Sequence, residues 1–115
     1  MRIITEQQEQ TWKSALSNVK GVYLIVDTSN GKKYVGSATS EGGIWQRWED
    51  YVNTGHGGND RLKELMLTYG VTYADNFQYA ILEIADSHAT KDYILSREAY
   101  WKQALLTRQF GYNAN

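Results

Sequence analysis

Residues 21–38, GVYLIVDTSNGKKYVGSA, decide the fold. Two β-rich runs flank Asn30-Gly31, and Asn-Gly between such runs is the strongest short-range signal for a β-hairpin. A two-residue loop pairs position 27 with 34, whereas a four-residue loop pairs 25 with 34. Both loops are even, so Tyr23 and Tyr34 point to the same face of the sheet. Their offset is four residues or two, roughly 13 or 7 Å at about 3.3 Å of rise per residue. Two phenols so placed either pack against a covering helix or converge on one ligand atom. Gly36 shares their face, and a glycine within a strand often marks close approach of a ligand or of another part of the chain.

Working outward, residues 5–18 (TEQQEQTWKSALSN) read as an amphipathic helix. Thr5 with Gln8 fits a capping box, and Trp12, Leu16 and Val19 recur on one face. After the hairpin, Gly42-Gly43 opens a helix from about Ile44 to Asn53, which the glycine-rich loop 54–58 (TGHGG) ends. Asn59 or Asp60 caps a further helix to about Tyr69, with Leu62, Leu65 and Met66 as its apolar stripe. Residues 77–85 (FQYAILEIA) predict a third strand, and Thr90 to about Leu106 a long helix. No repeat, linker or low-complexity tract interrupts the chain. The order predicts an α+β domain: a small antiparallel three-stranded sheet flanked by helices, with an extra N-terminal helix over residues 1–20 and the main domain over 21–115.

The 115 residues suit one domain, and the 42% hydrophobic fraction with a mean hydropathy of -0.57 suits a folded, soluble chain. Cysteine is absent, which removes disulfides, thiolate nucleophiles and cysteine-based zinc sites. No apolar run approaches the ~20 residues of a membrane helix and Met1 opens no secretory segment, so no membrane partner and a cytoplasmic setting are expected. Twelve basic and 13 acidic residues give a net charge of -1, so no global field draws a polyanion. Nucleic acid, if it is the substrate, must be held by a local site or with help from elsewhere. Nine tyrosines and four tryptophans are many for this length.

Several residues sit where packing alone does not put them. Ile44, Trp48 and Val52 form the buried stripe of their helix, and Arg47 with Tyr51 forms a second i, i+4 pair turned about 100° from it. That arginine either snorkels to water or presents its planar fork to a phosphate. In the long helix Ile94, Trp101 and Leu105 make a seam, with Glu98 on it. A carboxylate there is costly unless it pairs with an arginine such as Arg47, binds a metal, or sits at a seam edge that is wet. His56 lies alone among glycines, and no phosphate-loop pattern or histidine pair accompanies it.

At this point the chain resembles a family. Gly21-Val22-Tyr23 followed by Tyr34-Val35-Gly36 resembles the paired signature of the GIY-YIG nucleases. Arg47, Glu98 and a terminal Gly111-Tyr112-Asn113 continue the resemblance in order across roughly residues 20–115. The YVGSA run and the Arg97-Glu98-x-Tyr100-Trp101 pattern are most similar to the nuclease domains of phage intron-encoded homing endonucleases. Valine stands in both motif halves where the family has isoleucine.

The resemblance implies a divalent-metal-dependent endonuclease that hydrolyses DNA phosphodiester bonds. By the same resemblance Glu98 holds the metal, Mg²⁺ or Mn²⁺, Tyr23 activates the attacking water and Tyr34 positions water or phosphate. Arg47 then stabilises charge on the scissile phosphate. Tyr51 stands where the family places a histidine or a tyrosine, which leaves Tyr23 and Tyr51 both open as the base. His56 matches a loop histidine and Asn113 a residue that orients the site. Lys32 and Lys33 beside the hairpin turn join Arg47 as expected DNA contacts. A phenol near pKa 10 is a poor base at pH 7, so a depressed Tyr23 pKa is expected if it serves as one. Tyr69, Tyr79, Tyr93 and Tyr100 read as packing. The chain ends two residues after Asn113, which reads either as a standalone nuclease or as one domain of a longer protein with an additional DNA-targeting domain or protein.

Two other functions compete. A DNA-binding or structural module could retain the fold without cleaving, and an aromatic-lined pocket could take a sugar or small ligand. Metal-dependent nicking of DNA that Glu98→Ala abolishes separates the first reading from both.

Overall fold

A computed structural model describes residues 19–54, 57–86 and 88–113, so the helix expected over 5–18 and His56 lie outside the described residues. Strands β1 (Lys20–Asp27) and β2 (Lys33–Ala38) form the hairpin, and β3 (Phe77–Ala85) pairs antiparallel with the other side of β1. The strand order is β2-β1-β3. Between hairpin and third strand run helix α1 (Gly43–Thr54), helix α2 (Asp60–Tyr69) and a 3₁₀ segment (Val71–Asn76). Helix α3 (Lys91–Ala104) and the short α4 (Thr107–Phe110) follow. The three-stranded α+β architecture is the one the sequence predicts. No helix among the described residues is long and apolar enough to cross a membrane.

The hairpin takes the four-residue loop, pairing Ile25 with Tyr34 and Tyr23 with Gly36. Asp27 decides between the two registers. Its carboxylate accepts from the Ser29 backbone N–H at 3.0 Å, and its carbonyl accepts from Gly31 at 2.7 Å. The turn is thereby closed at residues 27 and 32. The same carboxylate takes the hydroxyls of Tyr73 and Tyr112, tying the turn to the 3₁₀ segment and the C-terminal tail. Burial alone would raise the Asp27 carboxyl, but the hydrogen bonds from Ser29, Tyr112 and Tyr73 outweigh it and hold it below the usual carboxylate range.

Alternation along the strands gives the sheet two different faces. Tyr23, Ile25, Tyr34 and Gly36 point to the front, where α1 and α2 lie; Tyr23, Ile25, Tyr51, Leu62 and Phe77 form one buried cluster there. Ala38, Ile44, Trp45 and Trp48 form a second. Ile44 and Trp48 are buried as expected, while the Val52 side chain lies outside the described residues. Val22, Val35 and Ser37 point to the back, where α3 crosses β2 and β1. A bulge in β3 skips Leu82, so Ile81 pairs with Tyr23 and Glu83 with Val22. Strict alternation would leave Glu83 on the front; the extra residue turns it to the back, where it meets Arg97 and Trp101 of α3.

Three expectations are corrected. The long helix ends at Ala104, because Leu106 takes a left-handed conformation (φ 54°) that reverses the chain. The inward face of α3 runs through Ile94, Glu98 and Lys102, with Trp101 and Leu105 only half-buried. Tyr79 is a packing residue, but Tyr69, Tyr93 and Tyr100 are 66%, 52% and 52% exposed, on outer surfaces that no described element covers.

Candidate active site

The front site grows from one close approach. The Tyr23 ring crosses β2 directly over Gly36, where an added Cβ would lie 2.5 Å from its hydroxyl. The glycine in this strand therefore serves a ring within the protein. From there the Tyr23 hydroxyl reaches the Tyr51 hydroxyl of α1 at 3.1 Å. Arg47, one turn before Tyr51, directs one Nη to Tyr23 at 3.4 Å, to Tyr51 at 3.5 Å and to the Gly57 carbonyl at 3.3 Å. Its other Nη meets Asp50 at 3.2 Å. Gly57 has φ 55° and lies so close to the Tyr51 ring that a Cβ would sit 2.7 Å from it, so only glycine brings this carbonyl to the arginine.

Both phenols are fully buried. Burial pushes Tyr23 up to about 12, with the neighbouring Tyr34 adding to the rise and Arg47 opposing it without prevailing. This corrects the expected depressed pKa: the arginine lowers the phenol by less than enclosure in a ring cluster raises it. Burial pushes Tyr51 still further up. Arg47 behaves oppositely. Burial works against its charge, but Tyr23, Tyr51 and Asp50 outweigh it and the guanidinium is held more firmly charged. The arrangement is therefore two neutral phenols and the Asp50 carboxylate gripping one fixed cation.

That cation opens onto a cleft of about 370 Å³, lined by Tyr34, Arg47, Gly57, Gly58, Asn59, Asp60 and Arg61. Asn59 caps α2 by accepting from the Leu62 N–H at 2.9 Å. The structure thus brings together Tyr23, Tyr34, Arg47 and Tyr51. Tyr79, behind them, packs on the rings of Tyr23, Tyr51 and Trp48, and its buried hydroxyl has no hydrogen-bond partner among the described residues.

Glu98 belongs to the back face. Ser37 donates to one carboxylate oxygen at 2.8 Å, and the Lys102 ammonium lies 3.1 Å from the other. Glu98 is paired with Lys102, the neighbour one turn along its own helix, and not with Arg47. No group of three or more acidic or histidine residues gathers around a metal position among the described residues. Asn113 is fully engaged with β2. Its Oδ1 accepts from the Val35 N–H and its Nδ2 donates to the Val35 carbonyl, both at 2.9 Å, so it completes the strand's outer edge beside Tyr34 and Gly36. Lys33 donates to Gly31 and Lys32 lies over the Tyr112 ring, both at the hairpin turn and outside the Arg47 cleft.

Sequence reasoning did not single out Ser37, Lys102, the Gly57 carbonyl or Asp27. The i, i+4 spacing of Glu98 and Lys102 was a usable signal for one of these.

Residues 19–113 match the family model described as GIY-YIG catalytic domain. Among solved structures, the catalytic domain of homing endonuclease I-TevI is 31% identical, covering 84% of this chain and 98% of that one with a TM-score of 0.61. A glutamate-to-alanine mutant of the catalytic domain of intron endonuclease I-TevI matches at 30% identity, 84% and 94% coverage and the same TM-score. A search of curated proteins finds no match. The strand order, the two tyrosines over one sheet face and this match across most of the length agree: the chain belongs to the GIY-YIG catalytic domain family.

Proposed function

We propose that this chain is a divalent-metal-dependent endonuclease that hydrolyses DNA phosphodiester bonds, as the catalytic module of a larger DNA-processing system. Its similarity to the catalytic domain of a homing endonuclease supports the reaction class. The observation that carries the reading is Arg47, a guanidinium fixed by two neutral phenols and aimed into a cleft with Tyr34. A planar, preorganised cation suits the charge that builds on a phosphate in the transition state.

Glu98 presents one carboxylate, 17% exposed, and no group of three or more acidic or histidine residues gathers around a metal position among the described residues. One carboxylate fits a cation that keeps most of its own water, as Mg²⁺ does, and does not fit a dehydrated cage. Glu98 would hold that cation, with Ser37 orienting the carboxylate. The bound ion supplies Lewis-acid stabilisation of developing oxygen charge.

On the front, Arg47 clamps the phosphate while Tyr23 and Tyr51 keep the guanidinium in place. With its pKa near 12, Tyr23 holds its proton at neutral pH and acts as hydrogen-bonding support. Tyr34, at the cleft wall, positions water or phosphate. Asn113 holds β2 in register so that Tyr34 on the front and Ser37 on the back keep their places. The site lies around β2, with the charge clamp on one face and the carboxylate on the other.

The test is nicking of supercoiled plasmid with Mg²⁺ or Mn²⁺. Cleavage that stops with chelator and with Glu98→Ala is the expected result. A Glu98→Ala chain that cuts as well as the parent removes the assignment. DNA binding without cleavage under any divalent ion favours the non-catalytic module.

A further inference from the structure

Lys102 is one of the few buried charged groups, its side chain 8% exposed, and it lies against the oxygen of Glu98 that Ser37 does not use. The order Glu then Lys at i, i+4 is the favourable one for a helical pair, and burial keeps the attraction from being screened. Both carboxylate oxygens thus have partners from within the chain. An ammonium at 3.1 Å from Oε2 also lies in the space a coordinated cation would claim. A divalent ion bonded to a carboxylate oxygen at about 2.0–2.6 Å would stand within a few ångström of this like charge. At such separations in a partly buried site the repulsion weakens ion binding by tenfold or more, an order-of-magnitude figure.

We propose that Lys102 is a resident counter-ion that competes with the divalent cation for Glu98. This rests on Glu98 being the metal ligand. Without metal, the ammonium partners the carboxylate and keeps it ordered. Loading the site requires the ammonium to swing away, so cation affinity is set low and the site fills only at high cation concentration. Arg97 provides an internal comparison: it lies on the same helix and pairs with Glu83 at 2.9 Å.

Mn²⁺ binding to the full chain, followed by calorimetry, tests this without any cleavage assay. Lys102→Met and Lys102→Gln are each expected to tighten Mn²⁺ binding about tenfold or more. Arg97→Met should leave it within about twofold, which separates competition at Oε2 from a change in overall charge. Glu98→Gln should remove the binding in both the parent and the Lys102→Met background. Unchanged or weaker binding in both Lys102 variants, with Glu98→Gln still abolishing it, overturns the counter-ion and leaves Glu98 as ligand. Binding that survives Glu98→Gln overturns the ligand assignment and the counter-ion with it. A second measurement needs no variant: reductive methylation of Lys102 should be slow in the metal-free parent chain and faster at saturating Mg²⁺. Equal protection in both states contradicts the proposal.

Discussion

On the front of the sheet, Tyr23 and Tyr51 share a hydrogen bond between two buried hydroxyls and hold Arg47 between them. On the back, Glu98 and Lys102 face each other as opposite charges beside β2, and Glu83 of β3 and Arg97 do the same. The front fixes a cation with two buried phenols and a half-exposed carboxylate, Asp50. The back balances charge with charge. The Arg47–Asp50 pair is partly exposed and screened by solvent, and one guanidinium nitrogen is held by phenols beside the cleft, whereas the Glu98–Lys102 pair is more enclosed and satisfies its charges internally. The difference is between a cation fixed beside an open cleft and a carboxylate already paired within its own helix.

The largest expected effect is on the front half. Arg47→Ala should lower single-turnover cleavage about 10²–10³-fold, the usual cost of one transition-state charge donor. Substrate affinity should change far less, and a loss confined to KM would contradict the clamp. Gly36→Ala attacks the same half through packing. Its Cβ would meet the Tyr23 ring at 2.5 Å, so about 1–3 kcal/mol of stability should be lost in urea unfolding. Tyr23→Phe in that background should not restore it, because the ring remains.

Asn113→Ala should cost about 1–3 kcal/mol by stripping both partners from the Val35 backbone at a buried edge. Its effect on cleavage should appear in kcat, through displaced Tyr34, if the tail positions β2.

The neutral phenols also set an alkaline limit. Tyr23 titrates at about 12 in the folded chain, above the ordinary 10, so the folded state keeps a proton that the unfolded chain releases. Its contribution to stability is therefore complete below pH 10 and disappears as pH rises through 12; Tyr51 and Tyr79 act with the same sign. Thermal melting between pH 9 and 12 checks this, and a flat profile would contradict neutral burial. The smallest effect is Tyr79→Phe. Removing a hydroxyl that has no partner among the described residues should be neutral or stabilise by up to about 1 kcal/mol.

Much of the front half was legible in residues 21–38. Period-two alternation and an even loop put Tyr23 and Tyr34 on one face whichever register formed. The register itself rested on the Asp27 carboxylate capping its own turn, a side-chain interaction that the Asn-Gly signal does not carry. Arg47 and Tyr51 were placed as a pair by helical spacing, but the enclosure that raises their phenol neighbours depends on rings from α1 and β3 meeting across the sheet. The seam carboxylate Glu98 stood out because it broke an apolar pattern. Its partner did not, because a seam drawn through Trp101 hides a lysine one position further round the helix. The bulge at Leu82 has no local sequence mark, and with it the pairing of Glu83 with Arg97 was out of reach.

On the proposed function, Arg47 on the front and Glu98 on the back act on one phosphodiester although the sheet lies between them. A double-mutant cycle with the mild variants Arg47→Lys and Glu98→Asp, read as single-turnover plasmid cleavage under saturating Mn²⁺, tests it most directly. The two residues acting as a unit predicts that the double variant is little slower than the worse single variant. Strictly multiplicative losses would contradict it, since they would mean that the two faces work independently.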